Sequence, residues 1–507
     1  MKRVLMRAAA FLALLLVSCA AVPPSGRVEP TGRVPEERPV EFIILQMNDI
    51  YEMTPLSGGK EGGLARVATI RKQLLAENPN TLTVLAGDLL SPSALSAARV
   101  DGERLQGRQM IAAMNALGLD YSTFGNHEFD LTERAFLERL RESRFTWISS
   151  NVLDKRHMSF PGVPRNKVVE IRSGDGRRVR LGFFGLTLDE NRTDYVSYTN
   201  YLEEARIQAK DLRGRVDVLV ALTHLEASQD IALAEADLGI DLILGGHDHE
   251  NMQFWRGARF VPVFKADANA RTVYVHRLSY YPESRRLSVR SVLRRVTGEI
   301  REDSVTSAVI RLWLERIFAA FRAEGWEPEQ VVATVPVDWD GRDSSVRRFS
   351  TALTKSIAEA ILAEVPGADL AMFNGGSIRL DDVLPAGRLT ELDLFRVLPF
   401  RGRICGADIE GALLRKVLDQ GKANHGQGGF LQTARVTWGG TEWRVNDKPL
   451  VARQTYRVAT TDFLLSGKEQ GLEFLTENAP GVRASCQRNS DVRSALKTYL
   501  EKTYGGR

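Results

Sequence analysis

Glu41-Phe42-Ile43-Ile44-Leu45-Gln46-Met47 is a short apolar run that stops at Asn48-Asp49-Ile50-Tyr51. Its length and its polar stop predict a buried strand that delivers an acidic side chain from its carboxyl end. The pattern returns down the chain. Thr81 to Ala86 precedes Gly87-Asp88, and Asp217 to Leu222 precedes Thr223-His224. Leu242 to Leu244 precedes Gly245-Gly246-His247-Asp248-His249, and Val179 to Gly185 is a further apolar run. Helical patterns lie between some of these runs, at Leu64 to Glu77, Gln106 to Leu117 and Thr132 to Ser143. Strands alternating with helices predict an α/β layered domain. In such folds chemistry gathers at the carboxyl ends of the strands.

A fifth loop reads Gly125-Asn126-His127-Glu128-Phe129-Asp130, and most of the chain's seven histidines fall in these loops. Histidine and aspartate suit zinc, manganese and iron. The glycines beside them let a loop turn tightly. Each loop alone is ordinary turn chemistry: a Gly-Asp turn, a helix cap at Asn126-His127, a core histidine at His224. Five such loops in this order point to a metal site. After Cys19 only Cys405 and Cys486 remain, which excludes a cysteine-built zinc site. Whether those two form a disulfide is left open by sequence.

With 507 residues the chain has room for two or three domains. A net charge of +4 excludes a dedicated nucleic-acid binder, so no nucleic-acid polymer is expected as a partner. No protein partner is expected either. Lys2, Arg3 and Arg7 precede an apolar stretch, Ala8 to Val17, that is short for a membrane span. It ends in Leu16-Val17-Ser18-Cys19, which resembles the lipobox of bacterial lipoproteins. That resemblance implies a signal peptide over residues 1–19 and a membrane anchor through lipidated Cys19. The alternative is a plain secretory signal. Both readings export the protein to the periplasm or cell envelope. Residues 20–40 read as a flexible tether. The first domain is expected over 41–300, closed by strands within 271–296. A linker helix is expected over 301–326, with its apolar pattern from Val305 to Ala323. The second domain is expected over 327–507, with a helix from Ser350 to Glu364 and strands at Asp369 to Phe373 and Tyr456 to Thr460.

From Glu41 onward the chain resembles the 5′-nucleotidase family of calcineurin-like metallophosphoesterases. The Gly125-to-Asp130 and Gly245-to-His249 strings carry the resemblance most specifically. It implies a four-layer α/β/β/α metallophosphatase domain, a linker helix and a smaller α/β substrate-binding C-terminal domain. It implies two divalent metal ions: manganese, zinc or a pair mixed with iron. Asp49 and His249 would bind the first metal. Asn126, His224 and His247 would bind the second, with Asp88 bridging both. His127 would face the phosphate, with Asp130 as its partner carboxylate. An i, i+3 pair shares one helix face. One position departs from the family, which has Asp-x-His where this chain has Asp49-Ile50-Tyr51. Tyr51 either ligates as a phenolate, favouring a harder ion such as ferric iron, or packs beside the metal.

Asn374-Gly375-Gly376-Ser377-Ile378-Arg379 resembles the family's substrate motif. Arg379 would contact phosphate or carboxyl-end groups, and Asn374 the base, with Gly376 in the same turn. Arg347 or Arg348 resembles a second substrate arginine. Phe430, in Gly428-Gly429-Phe430-Leu431-Gln432, resembles a base-stacking aromatic and reads equally as core. The partner aromatic position is Leu472, so a full aromatic sandwich is not evident. The implied activity is hydrolysis of a small-molecule phosphoester, a nucleoside 5′-monophosphate foremost. Within the family the alternatives are a nucleotide-sugar diphosphatase and a cyclic phosphodiesterase. Outside it, the alternative is a non-catalytic ligand-binding lipoprotein with a degenerate metal site.

Overall fold

Past Glu41, the strand Val40–Met47 buries both of its faces. Phe42 and Ile44 enter one apolar cluster, Ile43 and Leu45 another. Side chains alternate across a strand, so such a strand must sit in a sheet covered on both sides. The computed structural model describes residues 37–507 except 94, 401, 489, 506 and 507. The signal-like segment, Cys19 and most of the tether lie outside the described residues.

Two six-stranded sheets form the first domain. In spatial order the first holds Arg286–Arg295, Thr272–Tyr281, Val40–Met47, Thr81–Ala86, Tyr121–Thr123 and Thr146–Trp147. The second holds Met252–Arg256, Val261–Lys265, Leu242–Gly245, Val218–His224, Arg178–Thr187 and Asn166–Arg172. Val40–Met47 runs parallel to Thr81–Ala86, and Val218–His224 parallel to Leu242–Gly245. Phe42, Ile44, Val220, Leu222, Leu242 and Leu244 meet in one cluster between the sheets. The alternate residues face outward. Ile43 and Leu45 pack with the helices Leu64–Glu77, Arg108–Leu117 and Glu133–Glu142. Leu219, Ala221 and Ile243 pack with Tyr201–Leu212 and Ala227–Glu235. The result is the α/β/β/α sandwich.

The connecting helix is Ser304–Ala323, with the Asp303 carboxylate accepting from the Thr306 amide at its start. It is packed rather than free. Ile310, Trp313, Ile317 and Phe321 enter the outer cluster of the first domain, and the Phe321 ring stacks on Phe395 at 4.3 Å. Phe395 belongs to the second domain, so one apolar cluster joins the two. That domain has a five-stranded sheet in the order Leu431–Ala434, Leu370–Asn374, Thr455–Thr461, Ile404–Glu410 and Val482–Cys486. Ala352–Ala363 and Val492–Tyr504 cover one face, and Gly411–Ala423 the other. Cys405 and Cys486 face each other on adjacent strands and form a disulfide.

A polar tie crosses the apolar space between the sheets. Gln46 Nε2 donates to the carbonyls of Gly245 at 3.1 Å and Phe264 at 2.9 Å. His276 Nε2 lies 2.9 Å from Gln46 Oε1, and Ser291 Oγ lies 2.7 Å from His276 Nδ1. Burial drives the His276 imidazole down to about 3. The unfolded chain, with a histidine near about 6.5, then binds a proton that the folded chain refuses. Stability contributed by neutral His276 is therefore present above pH ~6.5 and lost as pH falls toward about 3. The urea midpoint of the wild type should fall between pH 7 and pH 5, with a shallower fall in His276→Gln. Equal slopes would contradict this.

Candidate metal centre

Asp49 and Asp88 follow the first two parallel strands, each with a positive φ of 52° and 56°. Both side chains are buried. Asp49 Oδ2 accepts from Asn48 Nδ2 and from the His247 amide, each at 2.9 Å. Asp88 Oδ1 accepts from the His127 amide at 3.0 Å. The Tyr51 hydroxyl donates to Asp88 Oδ2 at 2.7 Å and lies 3.3 Å from Asp49 Oδ1. His224 Nε2 sits 3.4 Å from Asp88 Oδ2, 3.9 Å from Asp49 Oδ1 and 3.1 Å from Asn126 Oδ1. Half-buried His247 places its ring 5.3 Å from that of His224.

Two buried carboxylates this close need positive charge between them. Burial pushes the Asp49 carboxyl up, against the pull of His224 and His249. Asp88 goes the other way: burial opposes, but His224 and His127 hold it well below the carboxylate range. His224 is raised to about 10, with burial opposing and Asp88 and Asp49 prevailing. Divalent cations suit the same place. Asp49, Asp88 and His224 offer donor atoms within 4.8 Å of one another, all buried oxygen or nitrogen. Such donors suit manganese, zinc or iron. His224 Nδ1 is bonded to the Ala86 carbonyl at 2.8 Å, which leaves Nε2 facing the acids.

Close approach dictates the glycines. A Cβ on Gly125 would lie 1.9 Å from Asp88 Oδ1, and one on Gly246 would lie 2.1 Å from the Ala86 carbonyl oxygen. Two buried charges that sequence reasoning passed over hold the loops. The Glu128 carboxylate accepts the amides of Asp88, Leu89, Leu90 and Gly125, fixing the Asp88 turn. Burial and neighbouring Asp88 raise this carboxyl to about 7. Lys265 Nζ donates to the carbonyls of Leu225 at 2.6 Å and Gly246 at 2.8 Å, and pairs with Asp230 at 3.0 Å. It thereby holds the loops that carry His224 and His247.

The second domain reaches this centre. His249 Nε2 lies 3.1 Å from the Tyr51 hydroxyl, and its Nδ1 lies 2.7 Å from Asp381 Oδ2. Burial lowers the His249 imidazole, but Asp381 outweighs it and lifts the ring to about 9. His127 Nδ1 lies 2.8 Å from Asp130 Oδ2, within a short 3-10 turn, and Arg379 Nη2 is 3.0 Å from His127 Nε2. Asn191 Nδ2 donates to Asp130 Oδ1 at 2.9 Å. A cleft of about 890 Å³ lies between the domains, lined by Arg342, Arg347, Arg348 and Arg379 opposite His127 and Asn191. Arg342 was not foreseen; Arg347 pairs with Asp343.

The remaining substrate-motif residues lie elsewhere. Asn374 is buried and donates to Glu469 Oε2 at 2.6 Å, and the Gly376 amide bonds to the Gly428 carbonyl at 2.8 Å. Both brace the turn that carries Arg379. Half-buried Phe430 packs edge-on to His425 at 5.9 Å, and Gly426, Gln427 and Gly428 of that loop line the cleft. Leu472 is fully buried in the second-domain core.

Residues 42–251 match the model of the calcineurin-like phosphoesterases, and residues 331–477 match that of the 5′-nucleotidase C-terminal domain. The first domain is thus a calcineurin-like phosphoesterase domain, and the second a 5′-nucleotidase C-terminal domain. This phosphoesterase is 26% identical to the trifunctional nucleotide phosphoesterase YfkN of Bacillus subtilis, over 82% of the chain and 32% of YfkN. It thus spans about a third of that longer relative. It is 25% identical to the snake venom 5′-nucleotidase of Naja atra, over 76% of the chain and 79% of that protein. The fold is shared with the 5′-nucleotidase precursor of Thermus thermophilus, with a TM-score of 0.76 and 23% identity over 92% of this chain and 97% of that one.

Replacing Lys265 with Met leaves Asp230 buried without its partner. That variant of the phosphoesterase should lose about 3–5 kcal/mol of unfolding free energy in urea. A loss below about 1 kcal/mol, the range of ordinary surface changes, would show that Lys265 does not hold these loops.

Proposed function

We propose that this protein is an exported two-metal phosphoester hydrolase that releases phosphate from nucleoside 5′-monophosphates. The observation that carries the reading is the buried Asp49–Asp88–His224 cluster, faced across one cleft by Arg379 and His127. Asp49, His249 and Asp88 would hold one divalent ion, with the Tyr51 hydroxyl at its edge. Asn126, His224, His247 and Asp88 would hold the other. Such a pair supplies charge to clamp phosphoryl oxygens and activates water near neutral pH. The native ions are drawn from manganese, zinc and iron.

The chain's own residues do the rest. Arg379 and the arginines beside it receive the phosphate, a task suited to the guanidinium fork. A phosphoryl group entering between Arg379 and His127 contacts both in place of their mutual bond. His127, held at Nδ1 by Asp130, presents Nε2 to the leaving oxygen, where it stabilises charge and delivers a proton. Asn191 fixes Asp130 in turn. With Leu472 in the core and Phe430 against His425, no two-sided aromatic clamp is built at these positions among the described residues, which favours a broad choice of base. The disulfide supports export, since such bonds persist in oxidising compartments. A lipid anchor at Cys19 is the accompanying proposal.

Manganese-loaded protein given a panel of nucleoside monophosphates, nucleotide sugars and cyclic nucleotides should release phosphate fastest from the 5′-monophosphates. His127→Ala should lower that rate about 100- to 10,000-fold with metal content unchanged. No hydrolysis of any ester by the wild type would leave a ligand-binding role instead.

A further inference from the structure

The two histidines nearest the carboxylate pair are oriented from different domains. His224 has its Nδ1 fixed by the Ala86 carbonyl of its own domain at 2.8 Å. Among the described residues, the partners of His249 Nδ1 are not from its own domain. The two carboxylates near that atom, Asp381 at 2.7 Å and Asp343 at 3.9 Å, both come from the second domain. A histidine that binds metal through one nitrogen needs the other held, so that the ring points the right way.

Asp381 is itself fixed in place. It adopts a left-handed backbone with φ of 40°, and its Oδ1 accepts the Asp343 amide at 3.0 Å. Its main-chain carbonyl accepts from Arg271 of the first domain. The next residue fastens the same turn to that domain. Asp382 accepts from Ser57 Oγ at 3.0 Å, from the Ser57 amide at 3.1 Å and from Arg271 at 3.2 Å. The Asp381 carboxylate therefore stands at His249 only where the two domains meet.

We infer that Asp381 is a positioning residue of the metal centre, supplied by the second domain to fix His249, so that the tight binding of one of the two ions depends on a side chain of each domain. This rests on the two-metal reading above. It makes the centre asymmetric: the ion beside His224 is retained by the first domain, and the ion beside His249 responds to the second.

Calorimetric titration of the chelator-treated full-length protein with Mn²⁺ tests this. The wild type should take up two ions. Asp381→Ala should weaken one of them about 10- to 100-fold and leave the other unchanged. Excess Mn²⁺ should then restore phosphate release, which a merely structural defect would not allow. Asp381→Asn keeps the side-chain size and one acceptor oxygen, and should show a smaller, several-fold loss confined to the same ion. It decides the matter alone should the alanine variant fail to fold. Ser57→Ala removes a clasp to Asp382 without touching His249 and should bind both ions as the wild type does. Two ions held at wild-type affinity in the Asp381 variants would overturn the inference and leave the hydrolase reading standing. An equal loss in Ser57→Ala would overturn it too, because the fastening of the turn, not the orientation of His249, would then govern binding. A wild type that binds no Mn²⁺ would overturn the hydrolase reading itself, and this inference with it.

Discussion

Two aspartates buried side by side are the constraint on which the rest of this structure depends. Asp49 and Asp88 each end a parallel strand, and both are sealed from water. In a low-dielectric interior such a pair is costly unless positive charge lies between them and hydrogen bonds fix their outer oxygens. The surroundings meet both needs. Backbone amides of His127 and His247 reach the outer oxygens. Imidazoles and a place fit for divalent cations face the inner ones. Gly125 and Gly246 let the loops come close enough to do this. Glu128 and Lys265, themselves buried charges, are satisfied by holding those same loops. The charge network is thus one unit rather than a set of separate pairs.

The sandwich explains why the acids meet at all. Strands apolar on both faces must be covered on both sides, and stacking two such sheets brings the carboxyl ends of both to one edge. Gln46 and His276 pin the sheets across their apolar interface. The packed helix Ser304–Ala323 and the Phe321–Phe395 stack then set the second domain over that edge. Arginines from that domain face the metal centre across the cleft, and one of them already touches His127.

Much of the fold was legible because it rests on local pattern. The apolar run from Glu41 to Met47, the helix from Leu64 to Glu77 and the connecting helix appear within a residue or so of where periodicity puts them. The loop ends Asp49, Asp88, Asn126, His127, His224, His247 and His249 were legible as a group because each follows a strand, and the structure brings them around one point. What was not legible depends on distant partners. Lys265 ends an apolar strand with no local sign that two loops and a helix converge on it. Asp381 sits two residues past a recognised arginine, but its contact with His249 spans 132 positions. Asn374 and Phe430 carried a motif's promise of base contact, yet their surroundings here are Glu469 and His425. Edge strands such as Met252–Arg256, half exposed and without clean alternation, gave little periodic signal.

The central claim is that Asp88 stands between two metal ions. Anomalous diffraction from crystals of the manganese-loaded protein tests it most directly. The account predicts two peaks about 3.5–4 Å apart with the Asp88 carboxylate between them, one beside His249 and one beside His224. A single peak, or peaks placed away from Asp88, would contradict it.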